Sequence, residues 1–282
     1  MAEAPHSVWP APAKINLFLH VTGRRDDGYH ELQTLFQLLD WGDQVRICPT
    51  DGPGIKRLSC TYGVPEDEDL VIRAARLLQR ETGCGSGAEI GVRKRIPPGS
   101  GMGGGSSDAA TVLLVLNRQW GCGLNPIDLA RLGARLGADV PVFVHGNSAM
   151  ATGIGEVLDP VELGERAYVL VFPPYSLSTA AVFSDPGLVR NSGHISVDEA
   201  LSGGGRNDCE SVVCRLVPEY RQIINRLQAW GPARMTGTGS GIFIPMPDKK
   251  SAMSAAEEIK SLYNVRAVSG IDRSPVHALL GG

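Results

Sequence analysis

Pro97-Pro98-Gly99-Ser100-Gly101-Met102-Gly103-Gly104-Gly105-Ser106-Ser107-Asp108-Ala109-Ala110 is the stretch on which the reading of this chain turns. Five of the seven residues from Gly99 to Gly105 lack a side chain, and Ser106, Ser107 and Asp108 lead into an apolar run that predicts a helix to about Trp120. A loop emptied of bulk and ending on a helix N-terminus offers free backbone N–H groups, backed by roughly half a positive charge from the helix dipole. That is a ready site for a phosphate chain. A Walker-type loop would close on Gly-Lys-Ser/Thr, whereas Gly105 is followed directly by Ser106. The pattern G-x-G-x-x-G is met by Gly99, Gly101 and Gly104, but a dinucleotide fold places it after a continuously apolar strand. Here the preceding strand, residues 89–96, alternates and carries Arg93, Lys94 and Arg95, so it is half exposed and basic. The local sequence also leaves open an ordinary glycine-rich turn capped by Ser106 or Ser107.

Upstream, residues 13–21 alternate, with Ile15, Leu17, Leu19 and Val21 on one face and Lys14, Asn16, Phe18 and His20 on the other, which predicts a half-buried strand. Same-face neighbours on a strand lie about 6.6 Å apart, so Lys14 and Asn16 can reach one ligand or form a solvated face. The turn at 23–28 delivers Tyr29 and His30, an aromatic and a histidine that can meet a flat ring or simply pack. An apolar strand follows at 32–39, ahead of Trp41-Gly42-Asp43.

Downstream, Asp69 caps a helix over 70–80 that Gly83 stops, and Asn125-Pro126 opens another that Gly137 ends. Asp139 then sits in a connection, Gly137-Ala138-Asp139-Val140-Pro141, before an apolar strand at 142–144. A domain border falls at 163–166, ahead of a strand at 168–172. Ser178, Thr179 and Phe183 lie near a helix start, and 193–208 reads as a mobile connector. A broken helix covers 209–230, and a second glycine-rich segment, 235–243, leads into a β-α-β finish.

The 282 residues suffice for one large or two ordinary domains, and 43% hydrophobic with 20% charged residues is the balance of a soluble globular protein. A net charge of −3 and a pI near 6.1 make no case for nucleic acid or an anionic membrane, so anion binding must be local. The six cysteines show no C-x-x-C and no pairing with the six histidines, which argues against a disulfide framework or zinc site. With no basic-then-apolar leader and no run of 18 apolar residues, the expectation is a cytoplasmic protein without a membrane span or an obligatory protein partner.

In order along the chain, Pro12-Ala13-Lys14-Ile15-Asn16, Arg24-Arg25-Asp26-Asp27-Gly28-Tyr29-His30, the Gly103–Ser107 loop, the Asp139 segment and Thr236-Gly237-Thr238-Gly239 resemble the GHMP small-molecule kinases from about residue 11 to 277. Met102 stands where leucine is usual, and Ser240-Gly241 where a small residue and cysteine are expected. The resemblance implies a two-domain α+β fold. Its N-terminal ATP-binding domain, residues 1–164, would be ribosomal-protein-S5-like, its C-terminal domain, 165–282, ferredoxin-like, with the acceptor between them.

It further implies ATP as co-substrate with Mg²⁺, Ser106 being a candidate ligand to the metal, and ATP held by Pro97, Pro98, Gly99, Ser100, Gly101, Met102, Gly103, Gly104, Gly105, Ser106 and Ser107. Asp139 would accept the acceptor's hydroxyl proton, while Lys14 holds Asp139 and steadies the phosphoryl charge. The Gly28-Tyr29-His30 and Asp139 segments point to members that phosphorylate the 2-hydroxyl of a cytidyl-bearing sugar alcohol in non-mevalonate isoprenoid precursor synthesis. There the cytidine ring would lie between Tyr29 and Phe183 with His30 at its edge, and Asn16, Phe36, Asp139 and Thr179 would line the rest of the substrate site. A homoserine or mevalonate kinase would keep the loop without the Tyr29, His30 and Phe183 set. A nicotinamide oxidoreductase rests on the glycine pattern alone, and a non-catalytic nucleotide sensor leaves Lys14 and Asp139 unexplained.

Overall fold

The structure, a computed structural model, describes residues 8–58 and 63–281; residues 1–7 of the N-terminal stretch and Cys60 lie outside them. The first half comprises β1 (Val8–Arg24), β2 (His30–Thr50), β3 (Ile55–Arg57), α1 (Leu70–Thr82), β4 (Gly87–Arg93), α2 (Gly104–Gln119), α3 (Pro126–Ala134), α4 (Val140–His145), β5 (Ala149–Thr152) and β6 (Val157–Pro160). The second half runs through β7 (Arg166–Phe172), α5 (Thr179–Ser184), α6 (Val197–Leu201), α7 (Asp208–Leu216), α8 (Pro218–Leu227), β8 (Arg234–Met235), β9 (Ile242–Met246), α9 (Lys249–Ile259), β10 (Asn264–Ile271) and α10 (Pro275–Leu279).

The long β2 is the spine. One edge pairs with β1 from Arg46 to His30, and the other takes β5 at Thr34, β10 at Leu38 and β4 from Gln44 onward. In the second half β10-β7-β9-β8 is a wholly antiparallel sheet. With β7 counted first this is the 4-1-3-2 order of a β-α-β-β-α-β unit, the ferredoxin-like arrangement. One apolar cluster joins α1 to α4 to the first half's strands, a second joins α7, α8 and α9 to β7 and β9, and a third fills the junction around Ile15, Phe18 and Phe243.

Local sequence explains most boundaries. The Asp69 carboxylate accepts from the Val71 N–H, and Gly83 ends α1 in the left-handed region, as the capping signals required. Asn125 caps α3 by accepting from Asp128 N–H, with Pro126 in its first turn.

Five expectations are corrected. The strand at 13–21 is buried on both faces, because the second half packs over Asn16, Phe18 and His20 while Phe36, Asp139 and the Met102–Gly103 loop enclose Lys14. His20 Nδ1 lies 2.8 Å from the Gly193 carbonyl oxygen, and Leu19 N–H donates to Arg206 C=O at 3.0 Å. The run 142–144 belongs to the helix α4, not to a strand: Pro141 in its first turn and Gly146 at its left-handed end frame a helix apolar on every side. Residues 193–208 are tied to β1 and carry α6, capped by Ser196. Helix α2 starts at Gly103 with no side-chain cap, which sets aside a Ser106 or Ser107 cap. The five described cysteines are free, and among the described residues no helix is long and apolar enough to cross a membrane.

Lys94, expected on a basic strand facing ligand, is instead paired inside the protein. Its ammonium contacts Asp43 and lies 2.8 Å from Asp108 Oδ2. Asp43 is satisfied by Lys94 and by the N–H groups of Arg95 and Ile96. Asp108 is less well served, since its Oδ1 is buried without a partner, and burial pushes its carboxyl up to about 7. A carboxyl raised above its unfolded value of ~3.9 binds more protons folded than unfolded, so its contribution to stability falls as pH rises from about 4 to about 7. Asp43→Asn should therefore cost roughly 3 kcal/mol at pH 8, as loss of one partner in a buried ion pair does. Asp108→Asn should cost less and flatten the decline in stability between about pH 5.5 and 8. Urea unfolding at both pH values checks this; an equal loss in the two variants would contradict it.

Candidate active site

A cavity of about 730 Å³ lies between the halves, within the range of small-molecule sites. Its wall brings together Lys14, Asn16, Phe36, Pro97 through Ser106, Asp139, Thr179 and Phe183 from widely separated parts of the sequence. Three expected residues stand apart. Ser107 is fully buried under the loop, its hydroxyl unpartnered and its N–H committed to Gly103 C=O. Tyr29 is 59% exposed on the turn before β2. His30 lies outside the wall but stacks on Phe183, ring centroids 5.2 Å apart and planes at 26°. The ring facing Phe183 is therefore that of His30, not Tyr29.

The glycine-loop end is made of backbone. Gly99, Gly101 and Gly103 all have φ near +70°, and Gly103 is the N-cap of α2, so the first amides of a 16-residue helix carry no side-chain cap. A second glycine segment holds this loop in place: Ser240 N–H donates to Gly99 C=O at 2.9 Å and Gly241 N–H to Ser100 C=O at 3.1 Å. Approach is so close that a Cβ on Gly101 would sit 2.3 Å from Thr236 O. Asn207 fixes the second segment in turn, donating to Met235 C=O at 3.0 Å and Gly237 C=O at 2.8 Å.

The centre of the cavity is built on a bulge. The β1–β2 register shifts between Pro12 and Lys14, and the Lys14 N–H donates to Met102 C=O at 3.1 Å. Bulges re-aim side chains in this way. Lys14 is only 2% exposed, yet its ammonium is fully engaged: Nζ donates to Asn16 Oδ1 at 2.8 Å, lies 3.2 Å from Asp139 Oδ2 and sits 5.1 Å from the Phe36 ring centroid. Asn16 donates to Thr34 Oγ1 at 2.8 Å and its N–H to Thr236 Oγ1 at 2.8 Å. The result is a continuous polar chain, Thr236–Asn16–Lys14–Asp139, which ends on a part-exposed carboxylate at the cavity wall. Asp139 stands at the head of α4 but does not cap it; its carboxylate is spent on Lys14. At the far end Thr179 Oγ1 meets Thr238 Oγ1 at 3.0 Å.

Two family models match this chain, the GHMP kinases N terminal domain over residues 69–147 and the GHMP kinases C terminal over residues 188–265. The chain belongs to the GHMP kinase family. A 4-diphosphocytidyl-2-C-methyl-D-erythritol kinase of Hahella chejuensis (strain KCTC 2396) is 48% identical over 277 residues, covering 94% of each chain. The enzyme of the same name from Halorhodospira halophila (strain DSM 244 / SL1) is 48% identical over 277 residues, covering 97% of this chain and 96% of the relative. A solved 4-(cytidine 5'-diphospho)-2C-methyl-D-erythritol kinase superposes with a TM-score of 0.82 at 35% identity, over 93% of this chain and 98% of that one. This GHMP kinase is thus an ATP-dependent small-molecule kinase with the α+β fold of its family.

Thr34, Thr238, Lys94 and Asp108 also line the cavity. Thr238 was signalled by its glycine-flanked motif, whereas Thr34 sits in an apolar run with nothing to mark it. The glycine seam supplies a test in this GHMP kinase. Gly101→Ala should cost upward of ~3 kcal/mol, because backbone must move as well as φ. Gly121 also has φ +66° but open space around it, so Gly121→Ala should cost only ~1 kcal/mol. Thermal unfolding of both variants checks this, and comparable losses would mean that close approach of the two loops is not the constraint.

Proposed function

We propose that this GHMP kinase transfers the γ-phosphoryl group of ATP to the 2-hydroxyl of 4-diphosphocytidyl-2-C-methyl-D-erythritol, the compound its relatives are named for. The observation that carries the chemistry is the Lys14–Asp139 pair, 3.2 Å apart at the cavity wall, with Lys14 held against the glycine loop through its N–H to Met102 C=O. The acceptor oxygen forms the new bond to phosphorus, the bond from phosphorus to the bridging oxygen of ADP breaks, and the hydroxyl proton passes to Asp139. A carboxylate is a weak base for an alcohol. That suffices here, because phosphoryl transfer has a loose transition state in which positioning and charge stabilisation dominate. Lys14 supplies that charge and orients Asp139, while Asn16 holds Lys14.

The uncapped start of α2 and the amides of Gly99 to Ser106 suit the phosphates. Leu70, Val71 and Ile96 give the same cavity an apolar end fit for a purine. Among the described residues no group of three or more His, Cys, Asp or Glu is placed to hold a metal. A magnesium ion that draws most of its oxygens from phosphates and water, with Ser106 as a protein ligand, fits this wall; bound, it neutralises β- and γ-phosphate charge.

The cytidyl group fits the rim at Phe183 and His30, with Tyr29 on the adjoining turn free to cover it. Thr179 is positioned for the diphosphate. We place the domain border between residues 164 and 165, a reading supported by the start of β7 at Arg166, with the acceptor held between residues 1–164 and 165–282. Cytoplasmic location and independence from a protein partner complete this reading.

Asp139→Asn should lower turnover by at least about a thousandfold with ATP affinity kept, measured by ADP release and nucleotide titration. Near-normal turnover would remove Asp139 from the role of base. Phe183→Ala and Tyr29→Ala should each raise the KM for the cytidyl substrate by roughly fivefold to a hundredfold, the worth of ~1 to 3 kcal/mol of stacking, with little change for ATP. Equal effects on both substrates would place the base elsewhere.

A further inference from the structure

Arg190 lies in the loop after α5, outside the cavity wall, and four of its five N–H donors have fixed acceptors. Nη1 donates to Leu188 C=O at 3.0 Å, and Nη2 to Phe183 C=O at 2.9 Å and Asp185 C=O at 2.8 Å. The fourth bond leaves the loop: Nε donates to Nε2 of His30, at the start of β2, at 3.0 Å. A guanidinium has no acceptor and keeps its proton at any working pH. Nε2 of His30 must therefore offer its lone pair, and the ring proton of the neutral imidazole must sit on Nδ1. A free imidazole side chain in water favours the opposite tautomer, so this one is imposed.

The same guanidinium also sets the partner ring. It binds the carbonyl of Phe183, whose side chain stacks on His30. The charged groups facing the imidazole are both cationic, Arg190 and Arg24 of β1. Burial first, then these two charges, hold its titration below the ordinary histidine range. The neighbouring carboxylates are spent elsewhere, Asp185 on Arg215 and Glu31 on Arg25.

We infer that Arg190 is a positioning residue for the base end of the acceptor site: one guanidinium locks His30 into its Nδ1–H tautomer and sets the His30–Phe183 stack. The rim then carries a ring N–H donor whose direction is fixed before the ligand arrives. Such a donor suits a base edge rich in lone pairs, as O2 and N3 of cytosine provide. The ligand half of this inference rests on the cytidyl reading above; the tautomer half does not.

The test is nitrogen-15 NMR of the full chain with labelled histidines, His30 being assigned among the six by its loss in His30→Gln. In the unaltered protein His30 should show a protonated Nδ1 and an unprotonated Nε2 from about pH 6 to 8. Arg190→Gln should move the proton to Nε2 and raise the titration of His30. It should also raise the KM for the cytidyl substrate about tenfold, the worth of one lost positioned hydrogen bond, with the KM for ATP kept within about twofold. An Nε2–H tautomer in the unaltered protein overturns the inference whatever the variant does, so a variant that folds poorly cannot rescue it. An unchanged tautomer in a folded Arg190→Gln overturns it too. If the tautomer behaves as expected but cytidine 5'-diphosphate leaves the His30 signals unmoved, the lock stands and the cytidyl reading falls.

Discussion

The site depends on two pieces of backbone lying against each other. The Gly99–Gly101 loop belongs to the first half of the chain and the Gly237–Gly241 segment to the second, and they are joined by main-chain hydrogen bonds from Ser240 to Gly99 and from Gly241 to Ser100. A side chain on either side of this seam would drive into a carbonyl oxygen. Gly101 would meet Thr236 O, and Gly241 would meet Ser100 O at 2.3 Å. Because a main-chain contact has no rotamers to lose, the loop can present its amides to an anion without first being ordered by it. The seam also fixes where Thr236 stands, and Thr236 is the anchor of Asn16 and hence of Lys14.

Two lysines lie in the interior beside carboxylates, and exposure decides which pair can do chemistry. Lys94 faces Asp43 and Asp108, whose side chains are 0% and 4% exposed, and the backbone amides around Asp43 complete a closed network. Lys14 is more deeply buried, at 3% against 17% for Lys94, but the Asp139 side chain is 35% exposed and ends at the cavity. Both lysines have traded water for carboxylates, as a buried charge must. Of the two, the Lys14 pair has the more exposed carboxylate, and the proposed reaction uses it. The Lys94 network instead ties the strand exit at Arg95 and Ile96 to α2, which braces the glycine loop from behind.

The glycine loop leading into a helix, the caps at Asp69 and Asn125, the stop at Gly83 and the spacing of Lys14 and Asn16 were legible in the sequence because each rests on contacts a few residues apart. The burial of β1 was not. Polar residues alternating along a strand look solvated, and what covers Asn16 is Thr236, 220 positions away. The run at 142–144 was ambiguous for another reason: a short apolar segment has the same composition in a buried helix as in a buried strand. The residues that tune the site, Thr34 and Arg190, carry no local signal. Their contacts exist only in the folded arrangement, and the resemblance to GHMP kinases linked Lys14 and Asp139 where the local sequence left Lys14 on a strand face that a ligand or solvent could meet and Asp139 in a turn.

The two ends of the cavity are built from different materials, and this bears on how each can vary. The proposed nucleotide end uses peptide groups and a helix terminus, which every residue type carries, so its demands fall on what must be absent, namely bulk at the glycines. The acceptor end uses side chains from β1, β2, α4, α5 and the loop behind α5, each of which can be replaced without disturbing the others' backbone. A chain can therefore keep its phosphate loop and Lys14–Asp139 pair while exchanging Tyr29, His30 or Phe183 for groups suited to another alcohol. On the proposed assignment the acceptor is chosen at the rim, by rings held through Arg190, and the chemistry is set at the Lys14–Asp139 pair. The two are coupled through Asn16 and Thr34, which sit between them, and through the Thr179–Thr238 contact.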